Sequence, residues 1–423
     1  MPEQPAMPKL PLMRPFTGLR PRPENAVDVA APPYDVVSLK EAAQLAKGKP
    51  YSFLHISRPE IGLPEGTDPY AAVVYAAGAE NLKKLVEQGI LVRDETPAYY
   101  AYRLTMGDHQ QTGIVGAASV AAYDVNRVRK HELTRPAKED DRVRQIDAVN
   151  AQTGPVLLAH RPDDQLTAVL DQATAGPAAY EVTDGAGVVH ALWVIDEAAI
   201  TARITELFEA MPAIYIADGH HRSAAASRVA AARRRKLDQP HGDELHESFL
   251  AVSFPSDQMH ILDYNRIVRD LNGMSAQEFL VRLADSFTVT VSASPFKPSK
   301  KGQFGMYLEG QWYGLTPTAP LPDDPKAGLD VSVLTDRLLD PILGIKDLRR
   351  DARIDFVGGI RGLEGLQERV DHTDWETWAV AFALYPTAME ELMAVAEADE
   401  VMPPKSTWFE PKLADGLVSN PLD

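Results

Sequence analysis

The chain contains no cysteine. That excludes a disulfide scaffold, thiol catalysis and any zinc site built on Cys, and it fits a reducing compartment. Long apolar runs are also missing. A membrane-spanning helix needs roughly 20 apolar residues, whereas the most apolar stretch, Trp378-Ala379-Val380-Ala381-Phe382-Ala383-Leu384, is strand-sized. Met1 to Met13 is broken by prolines and has no apolar centre, so it does not read as a secretory signal. The expectation is a soluble, cytoplasmic protein without membrane contact. Positive charge is scarce too. A net charge of −17 opposes the basic footprint that a duplex-binding protein needs, which argues against nucleic acid as a partner. One basic run, Arg233-Arg234-Arg235-Lys236, follows an alanine-rich helix. Cations suit that end of a helix dipole, and no aromatic residues interleave the run.

What is present begins with length: 423 residues exceed what one hydrophobic core usually supports, so two or three domains are expected. Strand and helix patterns alternate along the whole chain, which predicts an α/β (α+β) protein. Asp68 to Gln88 reads as a helix, and Tyr99 to Leu104 and Gly113 to Val120 read as strands with Asp108 near their turn. Residues 126–153 are strongly charged and read as largely helical, Gly154 to Ala159 as a turn entering a strand, and Ile195 to Met211 as a mostly amphipathic helix. Beyond Phe249 a strand opens a further alternation that includes a helix over Leu329 to Leu343, a strand over Trp375 to Tyr385 and a helix over Thr387 to Ala398. Residues 161–187 carry no clear pattern. The organisation expected is an N-terminal α/β region over 1–125, a core over 126–245 and a C-terminal α/β region over 246–423.

That core carries the chemical signal. Ala213-Ile214-Tyr215-Ile216-Ala217 is a short buried strand, Asp218-Gly219 turns the chain, and an alanine-rich helix starts with His220-His221-Arg222. The first helical turn offers unpaired N–H groups and the positive end of the dipole, which together favour an anion and above all a phosphate. Arg222 could grip phosphate oxygens with its forked donors. Asp218 could cap the helix, or it could hold a hard cation such as Mg2+ beside the phosphates. Paired histidines can also bind zinc, but no third ligand stands at standard spacing.

Asp218-Gly219-His220-His221-Arg222 resembles the phosphate-binding turn of the ParB/sulfiredoxin superfamily, and is most similar to its free serine kinase branch. Two further segments match in order: His131-Glu132 before a charged helix, and Pro404-Lys405-Ser406-Thr407 near the end. The chain also looks like a widespread bacterial family of long proteins of unknown function that share these landmarks. The resemblance implies a ParB/sulfiredoxin-like core over 126–245 and a magnesium-dependent transfer of phosphate from ATP or ADP to the hydroxyl of free L-serine. Glu132 would be the catalytic base and His131 its companion. Asp218 would position the metal, and Gly219, His220, His221 and Arg222 would hold the nucleotide phosphates. Lys405, Ser406 and Thr407 would lie near the amino acid. The chain departs from the compact kinases in a longer stretch between Glu132 and Asp218, and in Trp408-Phe409 after Thr407.

Each residue also has a plainer reading. Glu132 could be a solvated carboxylate among Lys130, Arg135, Lys138, Glu139, Asp140, Asp141 and Arg142, and His131 an ordinary surface histidine. Lys138 and Arg142, four apart, share a helix face and could either wall a phosphate site or pair with Glu139 and Asp141. Pro33, Tyr34 and Asp35 could line the cleft or form a structural turn. Asp351 and Asp355 are read as surface ion-pair partners of nearby arginines. Two other functions compete: a non-catalytic nucleotide-binding switch of ParB-like type, and a nucleotide or phosphoester hydrolase.

Overall fold

The computed structural model describes residues 10–371 and 377–423. The expectation for Met1 to Met13 and the first two residues of the strand expected over Trp375 to Tyr385 fall in part or whole outside them. The chain forms two compact units, one of residues 1–259 with 411–423, the other of residues 260–410.

The first unit is built on a nine-stranded mixed sheet. Its strands are β1 (Met13–Arg14), β2 (Tyr99–Met106), β3 (His109–Ser119), β4 (Val128–Arg129), β5 (Val156–His160), β6 (Tyr180–Thr183), β7 (Val189–Ile195), β8 (Ile214–Asp218) and β9 (Ser248–Pro255). The order across the sheet is β4-β8-β5-β9-β3-β2-β7-β6, with β1 beside β3. The pairs β4–β8 and β5–β9 are parallel and the rest antiparallel. Strands from either side of residues 125 and 245 share this sheet, so the divisions expected at 125/126 and 245/246 fall inside one unit. Hydrogen bonding between β3 and β9 joins segments far apart in sequence, which no local pattern reveals.

Five longer helices accompany the sheet: α1 (Ala72–Glu87), α2 (Pro136–Val149), α3 (Asp164–Ala173), α4 (Ala198–Ala210) and α5 (His220–Arg234); α3, α4 and α5 pack on it, α2 packs against α5, and α1 against α2. The core joins Leu158, Ile214 and Ile216 on the strands to Leu166, Phe208 and Ala226 on the helices. The small residues of α5 serve this packing, since Ala225 and Val229 meet Ile146 of α2 and Leu422 of the C-terminal segment. The basic run behaves as a charged helix end: Arg233 pairs with Asp147 at 3.1 Å and Arg234 with Glu247.

The second unit is a six-stranded antiparallel sheet of β10 (Tyr264–Val268), β11 (Phe287–Ser292), β12 (Phe304–Leu308), β13 (Gln311–Pro317), β14 (Ile354–Gly358) and β15 (Val380–Leu384), in the order β11-β13-β12-β15-β10-β14. Helices α6 (Ala276–Leu283), α7 (Gly362–Asp371) and α8 (Met389–Glu397) accompany it. Arg353 pairs with Asp351 at 2.9 Å and Arg369 with Asp355 at 3.2 Å, the ion-pair role read for these carboxylates. Among the described residues no helix is long and apolar enough to cross a membrane.

Candidate functional site

The site grows from the end of β8. The strand is apolar and buried as far as Ala217, and its register against β5 shifts between Ile216 and Asp218. Such an irregularity re-aims the side chain that follows it. Gly219 then takes φ 98° as the N-cap of α5, a conformation L side chains rarely adopt. A Cβ there would stand 3.3 Å from the Val156 Cα. The Gly219 carbonyl accepts from the N–H groups of Arg222 and Ser223, so the helix is wound from its first residue.

Asp218 lies with one oxygen on the Gly219 N–H at 2.8 Å and the other 3.2 Å from the Lys412 ammonium. Burial alone would raise its pKa, but Lys412 and Arg222 outweigh burial and hold it well below the ordinary carboxylate range. It is therefore ionised at neutral pH.

The two histidines clasp a loop. His220 Nε2 accepts from the His131 backbone N–H at 3.4 Å, and His221 Nε2 accepts from the Arg135 N–H at 3.1 Å. Between these anchors lies Glu132, whose carboxylate is half-exposed and 4.0 Å from His220 Nδ1. Burial, reinforced by His131, pushes the His220 pKa well below its usual value, so the ring is neutral. With Nε2 accepting, the proton of the neutral ring sits on Nδ1, on the side of Glu132. His131 is buried, not the surface residue its plainer reading supposed. Its ring meets His220 edge-on at 4.4 Å, its Nδ1 has no hydrogen-bond partner, and burial lowers its pKa to about 4.

Arg222 turns away from the open end of the helix. Its guanidinium donates to the Pro155 carbonyl at 2.7 Å and to both oxygens of Asp35 at 2.9 and 3.1 Å, while its buried Nε has no partner. Arg142 pairs with Asp141 at 2.7 Å and lies 3.7 Å over the Tyr34 ring, and Lys138 is exposed. The Tyr34–Asp35 turn thus belongs to the site. So do Lys412 and Asp415, which the sequence reading missed. Asp415 is a lone carboxylate inside the apolar run Leu413 to Val418, and that isolation was the signal available.

Lys405, Ser406 and Thr407 belong to the second unit. Lys405 is exposed with φ 58°, its ammonium 5.5 Å from the Tyr264 ring, and Ser406 donates to the Pro403 carbonyl at 2.6 Å and accepts at its own carbonyl from Thr387 at 2.9 Å. One cluster of three possible metal ligands occurs among the described residues, and it excludes Asp218. Glu244, His246 and Glu247 bring ligand atoms within 4.8 Å of one another. Arg234 already grips Glu247 with two nitrogens, and Arg14 donates to the Glu244 carbonyl at 2.9 Å, so cations already surround that cluster.

The chain belongs to the family described as a protein of unknown function, DUF1015, whose model matches residues 13–334. No curated protein sequence matches it. Among solved structures it is similar to a mutant of free serine kinase in complex with AMP, with TM-score 0.35 and 14% identity over 72% of this chain and 92% of that one. It is also similar to SbnI with a C-terminal truncation from Staphylococcus aureus, with TM-score 0.35 and 10% identity over 71% and 85%. A conserved hypothetical protein from Pyrococcus furiosus gives TM-score 0.32 and 14% identity over 72% and 95%.

Proposed function

We propose that the first unit is a phosphotransferase that moves the terminal phosphoryl group of ATP or ADP to the hydroxyl of a small acceptor, free L-serine giving O-phospho-L-serine. One observation carries the reading: the histidines that open α5 hold the Glu132 loop against a helix N-terminus suited to phosphate. A base and an anion site are thereby fixed to one rigid element. Glu132 takes the hydroxyl proton, the acceptor oxygen bonds to the terminal phosphorus, and the bond from that phosphorus to the bridging oxygen breaks, leaving ADP or AMP. His220, through its Nδ1 proton, and His221, through the Arg135 N–H, are positioning residues for Glu132.

Asp218 offers a hard cation a single ligand: an ionised, partly exposed carboxylate beside a helix start suited to phosphate, with Lys412 at 3.2 Å as the cation to be exchanged. Asp218 would hold Mg2+, which supplies neutralisation of the phosphate charge when bound. Lys412, now on Asp218, stands within reach of the same phosphates. Arg222 supports the turn more than it grips ligand, since Asp35 and Pro155 take its terminal nitrogens.

The test is mass spectrometry of products after incubating the protein with L-serine, Mg2+, and ATP or ADP in parallel. Phosphoserine is expected with one donor. Glu132→Gln should lower its rate roughly 100- to 10,000-fold, the range for losing a general base. The melting temperature should hold, because the Glu132 side chain is 49% exposed. Nucleotide binding without phosphoserine would favour the switch, and nucleotide breakdown independent of serine would favour the hydrolase.

A further inference from the structure

Beside the phosphate turn, within the first unit, lies a cavity whose open space counted out to solvent is about 460 Å³. Val156 connects the two, since it lines the cavity and touches the Gly219 turn. The charged groups facing the cavity are Arg142, Arg222 and Asp415. Both arginines already pair with an acid, Arg142 with Asp141 and Arg222 with Asp35. Asp415 is 2% exposed and forms no ion pair among the described residues; the Tyr34 backbone N–H donates to its carboxylate, and Arg222 and Arg142 act on it through space. Two further polar atoms in the lining, Ser57 Oγ and Arg222 Nε, are buried with no hydrogen-bond partner. Buried polar atoms without partners are rare, and two of them in one cavity call for an explanation such as a bound polar group. The lining therefore offers two guanidinium groups, each already paired with an acid, and a further carboxylate, a set of charges that complements a small zwitterion.

We propose that this cavity binds an α-amino acid, its ammonium on Asp415 and its carboxylate on Arg142 and the open nitrogen of Arg222. The assignment rests on the phosphotransfer reading only for the ligand's hydroxyl; the two charges are called for by the cavity itself. It gives the acceptor a site formed wholly by the first unit, from the Tyr34 turn, Ser57, α2, α5 and the C-terminal segment.

The test is isothermal titration of the full chain with L-serine, L-alanine, ethanolamine and 3-hydroxypropionate. L-Serine and L-alanine should bind within about tenfold of each other, because both carry the two charges. Ethanolamine lacks the carboxylate and 3-hydroxypropionate the ammonium. Each should bind at least about 100-fold more weakly, since a buried polar group is then left unpaired. Asp415→Asn should weaken L-serine about 100-fold and abolish its advantage over 3-hydroxypropionate. Ser57→Ala, which loses a hydroxyl with no protein partner, keeps the test open if Asp415→Asn does not fold; it should weaken L-serine several-fold. Failure of both amino acids to bind, or unchanged L-serine affinity in the folded variants, overturns the proposal. Amino-acid binding without phosphoserine upholds the cavity and overturns the phosphotransfer reading. Phosphoserine formation with an unchanged KM for serine in the variants does the reverse.

Discussion

At the scale of single residues, the informative groups are charges held where charge is costly. Burial raises the Asp415 carboxyl to about 7, with Arg222 offsetting part of the effect, Asp35 adding to it and Arg142 opposing it. The unfolded chain releases that proton near the ordinary 3.8. Between those values the folded state holds the extra proton, so this group's contribution to stability falls as pH rises. The slope is at most about 1.4 kcal/mol per pH unit, and it flattens above about 7. Asp415→Asn should remove that slope. Urea unfolding of both proteins at pH 5 and pH 7.5 measures it, and equal slopes would contradict the assignment. Arg266 in the second unit is the opposite case. It is 0% exposed, two of its nitrogens lack partners, and burial lowers its pKa to about 9. A buried cation without a counter-charge is costly, so Arg266→Met should be neutral or stabilise by about 1–3 kcal/mol. A fall in the melting temperature would show that the guanidinium does structural work there.

Among elements, the turn from β8 into α5 was legible because its causes are local: an apolar strand, one glycine and an alanine-rich helix. Residues 126–153 were legible only in part. The helix expected there starts at Pro136, which suits a first helical turn because it has no N–H to leave unpaired. The preceding loop is held by His220 and His221, far away in sequence, so no window around Glu132 discloses its conformation. Asp68 to Gln88 likewise resolves to α1 from Ala72, with Tyr70 exposed, and Ile195 ends β7 before α4 begins. The helix expected over Leu329 to Leu343 forms as an α-helix over Asp330–Leu334 that continues as a π-helix over Thr335–Leu339. The turn carries its own prediction. In Gly219→Ala the added methyl meets the Val156 backbone, which cannot rotate away, and φ 98° is strained for alanine. Destabilisation of about 2 kcal/mol is expected, with loss of nucleotide binding beyond what the lowered stability explains. Calorimetric melting beside nucleotide titration separates the two effects, and wild-type nucleotide affinity in a folded variant would remove the turn from the phosphate site.

For the whole molecule, the feature least visible in sequence is that the first unit takes back residues 411–423 after the chain has built the second. Composition does not change at 259 or 411, and the pairing is long-range: Ser419 exchanges backbone hydrogen bonds with Leu19, the Leu422 N–H donates to Asn150, and Asn420 bonds Gln152 at 3.1 Å. The same segment carries Lys412 and Asp415 to the candidate site, so the fold and that site share one strap. Its buried Leu413, Leu417, Val418 and Leu422 contribute about 1.5–3 kcal/mol each, or roughly 6–12 kcal/mol together. That is comparable to the whole stability of a typical domain, about 5–15 kcal/mol. A chain ending at Glu410 should therefore lose the fold of its first unit. The second unit's core, which joins Ile267, Tyr307, Trp312 and Ala381, draws on none of the missing residues and should persist. Limited proteolysis with mass spectrometry reads this directly. A protected fragment spanning about 260–410 and rapid cleavage before it are expected, whereas protection of both units would mean the segment serves only the site.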